Sequence, residues 1–127
     1  MDENRDYHIA VHTEPAYITE QSEPEAKRYV FAYTITIRND GNVGARLMRR
    51  RWTITDAHGG VQEVSGVGVI GEQPHLAPGE EFHYTSGAVL ETAVGSMEGS
   101  YQLVADDGTE FEAPIPAFTL SAPHALH

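Results

Sequence analysis

The chain has 127 residues and no cysteine. That excludes a disulfide framework, a thiolate nucleophile and a thiolate metal site. No apolar run approaches the ~20 residues that cross a bilayer as a helix, so no membrane insertion is expected. Basic side chains are scarce: 8 Lys and Arg stand against 19 Asp and Glu, a formal charge of −11. Such a field opposes nonspecific binding to nucleic acid or an anionic membrane, and accommodates a cation or a basic partner more easily. The opening residues Met1-Asp2-Glu3-Asn4-Arg5-Asp6 are charged and lack the apolar stretch of a signal peptide. With the missing cysteines, this predicts a cytoplasmic location.

Helical periodicity is absent too. No window of eleven residues spaces its apolar side chains at 3.6, and at most one turn is expected near residues 92–97. There is no Gly-x-Ser-x-Gly elbow and no His-Glu-x-x-His pair. Glu80 and Glu81 are adjacent, so in a strand they point to opposite faces and cannot share a reaction centre. The sequence therefore predicts no enzyme, no cofactor and no metal site. His8 and His12 are four apart, about 13 Å in a strand, too far to hold one ion. His124 and His127 would chelate only from a helical tail, which Pro123 discourages. His58, His75 and His83 sit at turns or corners, and the stretch from Asp106 to Glu110 is too short for a calcium loop.

What is present has period two. Tyr29, Phe31, Tyr33, Ile35 and Ile37 alternate with Val30, Ala32, Thr34, Thr36 and Arg38, which reads as a long strand with one apolar face. Further strands are expected at residues 7–12, 16–20, 46–55, 61–69, 81–85, 100–105 and 110–120. The third of these carries Met48, Trp52 and Ile54 on one side. Turns fall at Asn39-Asp40-Gly41-Asn42, at Asp56-Ala57-His58-Gly59-Gly60 and at Asp107-Gly108. Seven or eight short strands between Gly and Pro turns predict an all-β antiparallel sandwich of the immunoglobulin or fibronectin type III kind, with about seven strands. Pro114 and Pro116 place the last strand at a sheet edge. One domain is expected over 1–127, with a core at about 7–120 and short loose tails.

One segment demands a closer reading. Gly66-Val67-Gly68-Val69-Ile70-Gly71 imitates a dinucleotide-binding loop, which works by opening a helix whose N-terminal amides hold the pyrophosphate. Here Pro74, Pro78 and Gly79 fall within the next eight residues, so no helix can follow. Two readings stay open. The glycines let a strand bend and cross the sandwich edge, or their bare amides form an anion-binding concavity. In the second reading Arg50 adds a bidentate phosphate contact if the segments are neighbours. Alternation sets Arg50 between Met48 and Trp52 on a face that should be apolar. It is either a structural guanidinium held in a pair or a ligand-facing one. Arg49 and Arg51 point the other way, into solvent or toward an acidic partner.

Several blocks resemble the ApaG family. Gly66 to Pro74 fits a Gly-x-Gly-Val-x-Gly-x-x-Pro pattern. Pro78-Gly79-Glu80-Glu81-Phe82-His83-Tyr84-Thr85-Ser86-Gly87 and Gly95-Ser96-Met97-Glu98-Gly99-Ser100-Tyr101 fit two more, and Ile115-Pro116-Ala117-Phe118-Thr119-Leu120 a fourth. Upstream, Arg50 and Trp52 are in register with a Leu-x-x-Arg-x-Trp strand, whereas Arg49 and Arg51 are more basic than the family pattern. The resemblance implies a fibronectin type III-like sandwich of about seven strands. It also implies a binding module, since related domains occur in F-box and polymerase-interacting proteins. The family is associated with magnesium and cobalt efflux and with diadenosine tetraphosphate metabolism. Two functions follow as expectations. The first is a non-enzymatic interaction module with an unknown protein partner, able to regulate cation efflux and to form a homodimer through sheet edges. The second is a weak binder of pyrophosphate-containing ligands at Gly66, Gly68 and Gly71 with Arg50.

Overall fold

A computed structural model describes residues 4–123. Its strands are, in chain order, β1 (Ile9–Tyr17), β2 (Tyr29–Asn39), β3 (Ala45–Asp56), β4 (Val61–Val67), β5 (His75–Leu76), β6 (Glu81–Leu90), β7 (Val94–Ala105) and β8 (Glu110–Ser121). All pairings are antiparallel. Three strands form one sheet in the order β1-β2-β6, and the other runs β4-β3-β7-β8, with β5 adding a two-residue pairing to β3. The expected antiparallel β-sandwich is what forms, with seven long strands and the short β5. Its only helical pieces among the described residues are 3-10 turns at Thr19–Gln21 and Pro24–Ala26.

Alternation in β2 drives the core. Phe31, Tyr33, Ile35 and Ile37 are buried between the sheets, while Thr34 and Thr36 face outward and bond to Thr85 and His83 of β6 at 2.9 Å each. Trp52 from β3, 2% exposed, stands edge-on to Tyr33 and Phe118 at 5.3 and 6.0 Å between ring centroids. The one buried amide side chain among the described residues, Asn39, is fully satisfied. Its Nδ2 donates to the Val43 and Leu76 carbonyls at 2.9 Å, and its Oδ1 accepts from Gly41 N–H.

Three local expectations change. No separate strand forms at residues 16–20: β1 continues through Pro15 to Tyr17. An edge strand leaves alternate N–H groups without a ladder partner, so a proline there is tolerated. Strands β6 and β7 extend to Leu90 and start at Val94, well beyond the expected 81–85 and 100–105. Segments such as Ser86-Gly87-Ala88 and Gly95-Ser96 have weak strand preference of their own, but pairing to β2 and β3 holds them extended. Between β6 and β7, residues 91–93 form a bend. In β3, a bulge between Leu47 and Arg49 inserts one residue, so Leu47 rather than Met48 enters the core ahead of Trp52 and Ile54.

Parts of the segments flanking the core are held in place. Asp6 N–H donates to Asn42 Oδ1 at 2.7 Å, and Arg5 pairs with Asp107 at 2.7 Å. At the other end Ser121 still pairs with Val94, and Ala122 N–H donates to the Ala93 carbonyl. Residues 1–3 and 124–127, with His124 and His127, lie outside the described residues. Pro114 and Pro116 do lie on an edge strand, exposed and alternating with buried Ala113 and Ile115.

Candidate functional site

The glycine segment begins in β4 and leaves it through a tight turn. Cross-strand register sets Gly66 opposite Arg50 and Val64 opposite Trp52. The Arg50 guanidinium lies across Gly66 so closely that a Cβ there would stand 3.0 Å from its Cζ and both Nη atoms. Arg50 Nη1 donates to the Gly68 carbonyl at 2.9 Å and to the Val67 carbonyl at 3.3 Å. The structure thus brings Arg50, Gly66 and Gly68 together.

Past Gly68 the chain reverses. Gly68 has φ +64, and its N–H donates to the Met48 carbonyl at 2.8 Å. Val69 and Glu72 then exchange N–H···O bonds of 2.8 Å each across Ile70 (φ 40) and Gly71 (φ 81). Two consecutive positive φ values between such a pair make a type I′ hairpin turn. Val69 is buried and anchors the turn, while Ile70 and Gly71 form its exposed tip. The amides of residues 68, 69 and 72 are therefore committed to backbone pairing. What remains for an anion is the tip, and no atom of Arg50 lies within 4 Å of where a Gly71 Cβ would stand.

Behind Arg50, the hydroxyls of Tyr84 and Tyr101 are hydrogen-bonded to each other at 2.5 Å in the interior. Burial pushes the Tyr84 hydroxyl up to about 12, with the bond to Tyr101 and the Arg50 charge opposing the rise. Burial raises Tyr101 further, reinforced by Tyr84. The neutral phenols are thus the folded form. Stability from Tyr84 is complete below its ordinary value of 10.0 and is lost as pH climbs through about 12, because the unfolded chain ionises first. Alkaline titration followed by near-ultraviolet circular dichroism should show unfolding within that window. Tyrosinate absorbance that reaches the full value for all six tyrosines near pH 10 without loss of fold would refute the buried pair.

Several other polar groups are engaged elsewhere. Asp107 accepts from the Tyr7 hydroxyl at 2.5 Å, from Thr109 N–H at 3.0 Å and from Arg5 at 2.7 Å. The Tyr7 bond is the main reason its carboxyl lies well below the usual carboxylate range. His75 meets Asp106 at 2.8 Å, His12 meets Glu14 at 3.3 Å, and His83 meets Glu81 at 3.2 Å. No group of three or more His, Asp or Glu able to hold a metal occurs among the described residues.

Sequence reasoning missed the open side of the sandwich. Val61, Val67 and Ile70 are more than half exposed, and Val64 and Val89 are substantially so. A signal existed: from Val61 to Ile70 an apolar residue recurs every third position, which in a strand puts apolar groups on both faces.

Comparison with known proteins agrees with this geometry. The family profile described as the ApaG domain matches residues 19–105. The chain is 61% identical to Protein ApaG of Azoarcus sp. (strain BH72) and 59% identical to Protein ApaG of Thiobacillus denitrificans, each over all 127 residues and the whole of both chains. A crystal structure from Bordetella pertussis, described as an ApaA protein, superposes with a TM-score of 0.91 at 49% identity. That match covers 93% of this chain and 96% of the other.

Proposed function

The chain belongs to the ApaG family, and from that membership we propose that it is a non-enzymatic interaction module working through the open side of its sandwich. The carrying observation is edge strand β4 with its turn, where Val61, Val64, Val67 and Ile70 expose apolar surface within ten consecutive residues. Scattered apolar side chains are ordinary on a surface, but exposed apolar groups on both faces of an edge strand, paired on one side only, make a recruitment surface. The groups that catalysis would need support the same reading. Arg50 is seated on carbonyls, the buried tyrosines bond to each other, and Asp107 is taken up by Tyr7, Thr109 and Arg5.

In this role a link to magnesium or cobalt efflux is regulatory and runs through a protein partner. No helix among the described residues is long and apolar enough to cross a membrane. A cytoplasmic setting accords with the cysteine-free composition. Self-association through a sheet edge is the competing use of the same surface.

The second reading, pyrophosphate binding at Gly66, Gly68 and Gly71 with Arg50, is favoured by the contact between Arg50 and Gly66. Against it stand the −11 charge and the committed amides, so its affinity should be about millimolar at best. One experiment separates the two. Native lysate is passed over the immobilised protein and over a Val61→Lys/Val67→Lys variant, and retained proteins are identified by mass spectrometry. In parallel, pyrophosphate and diadenosine tetraphosphate are titrated against backbone amide shifts. The module reading expects retention that the double variant abolishes and no saturable shifts. Equal retention by both proteins, or saturable shifts around residues 66–71 that Arg50→Ala removes, overturns it.

A further inference from the structure

The sandwich is one strand short. Three strands, β1-β2-β6, face four, β8-β7-β3-β4. β1 packs against β8 across the layers, which closes that side and puts the deficit at the opposite side, over β4. Burial records the gap. Val64 is opposite Trp52 and faces the same way, yet Trp52 is 2% exposed and Val64 is 40% exposed. Beside this uncovered floor runs β6, the last strand of its sheet, with no further partner among the described residues. A cavity of about 450 Å³ lies there, lined by Ile54, Val61 and Gln62 from one layer and by Val89 and Leu90 from the other, with carboxylates Asp56 and Glu91 at its rim.

We propose that this slot takes an extended segment of a partner protein as a fourth strand on β6, with alternate apolar side chains resting on Val64 and Ile54 and a Lys or Arg reaching Asp56 and Glu91. The inference rests on the interaction-module reading and names the kind of partner it recruits. An edge strand offers alternating N–H and C=O groups that only extended backbone can match, and alternate side chains of the added strand fall on the floor beneath. The apolar floor selects one face of that strand. The acidic rim and the −11 charge of the whole chain select a basic one. A second copy of this chain brings the same −11 charge and the same carboxylates to the acidic rim, so repulsion disfavours it as the occupant. A basic partner strand meets no such obstacle.

The test uses the full chain and two synthetic nine-residue peptides of alternating valine and threonine, one flanked by lysines and one by glutamates. Binding is followed by backbone amide shifts and by hydrogen exchange along residues 81–90. The lysine peptide should slow exchange at alternate β6 amides and bind at least about tenfold more tightly than the glutamate peptide at low salt, with the difference shrinking as salt rises. Val64→Lys, which places a charged side chain on an already exposed floor position, should weaken the lysine peptide by about tenfold or more while leaving the melting temperature unchanged. Equal binding of the two peptides, or protection absent from β6, overturns the proposal. So does a concentration-dependent dimer in sedimentation that Val64→Lys dissociates, which would give the slot to a second copy. If the peptides fail but lysate retention still depends on Val61 and Val67, the slot is refuted and the module reading stands.

Discussion

Replacing Trp52 by alanine should lower stability by about 3–5 kcal/mol, the range for removing a large buried aromatic. The site offers little relief. Trp52 is 2% exposed and is held edge-on between Tyr33 of β2 and Phe118 of β8, so its loss opens a void shared by both sheets. Rings fixed by their own strands cannot collapse far into that void, which places the effect toward the upper end of the range. Against a usual total of about 5–15 kcal/mol, this is a large fraction, and the melting temperature should fall by roughly 10–20 °C. Urea unfolding monitored by far-ultraviolet circular dichroism gives the value directly. A midpoint within error of the parent protein would mean that Trp52 is not the central packing element described here.

Gly68→Ala should cost about as much, for a different reason. At φ +64 an alanine carries left-handed strain of about 1–3 kcal/mol. Its Cβ would also collide with the Glu72 carbonyl oxygen, which accepts from Val69 N–H in the hairpin. Relieving that collision breaks the Val69–Glu72 exchange, two hydrogen bonds worth roughly 1 kcal/mol each. The sum is about 3–5 kcal/mol. Gly71→Asn is the control. Gly71 also has positive φ, but nothing lies within 4 Å of a Cβ there, and asparagine tolerates the left-handed region. It should cost less than about 1 kcal/mol. Equal losses at the two positions would show that turn conformation, rather than close packing against Glu72, governs this segment. The same comparison bears on the pyrophosphate reading. Gly68→Ala displaces the carbonyl on which Arg50 rests and should disturb any ligand contact only together with the fold, whereas Arg50→Ala would act without unfolding.

The fold class was legible in the chain because its signals are local. Alternation of Phe31, Tyr33, Ile35 and Ile37 requires a two-residue period and one buried face. The turns around Gly41, Gly59 and Gly108 follow from residues that accept tight backbone geometry, and the edge position of β8 from prolines that cannot donate to a ladder. The glycine segment was legible as a bend for the same reason, since Pro74, Pro78 and Gly79 forbid the helix a phosphate loop would open. Other features depended on partners distant in sequence. Strands β6 and β7 run through weak strand formers because β2 and β3 supply their hydrogen bonds. The bulge in β3 decides that Leu47 and not Met48 is buried, a change of parity that no alternation pattern announces. The seating of Arg50 on Gly66 arises from a register between β3 and β4. So does the uncovered Val64, which exists because three strands face four. A residue's own conformational preference is written in its identity. Which strand lies over it depends on the whole set of pairings, and there the tertiary structure alone decided where this protein leaves a strand edge uncovered beside exposed apolar side chains.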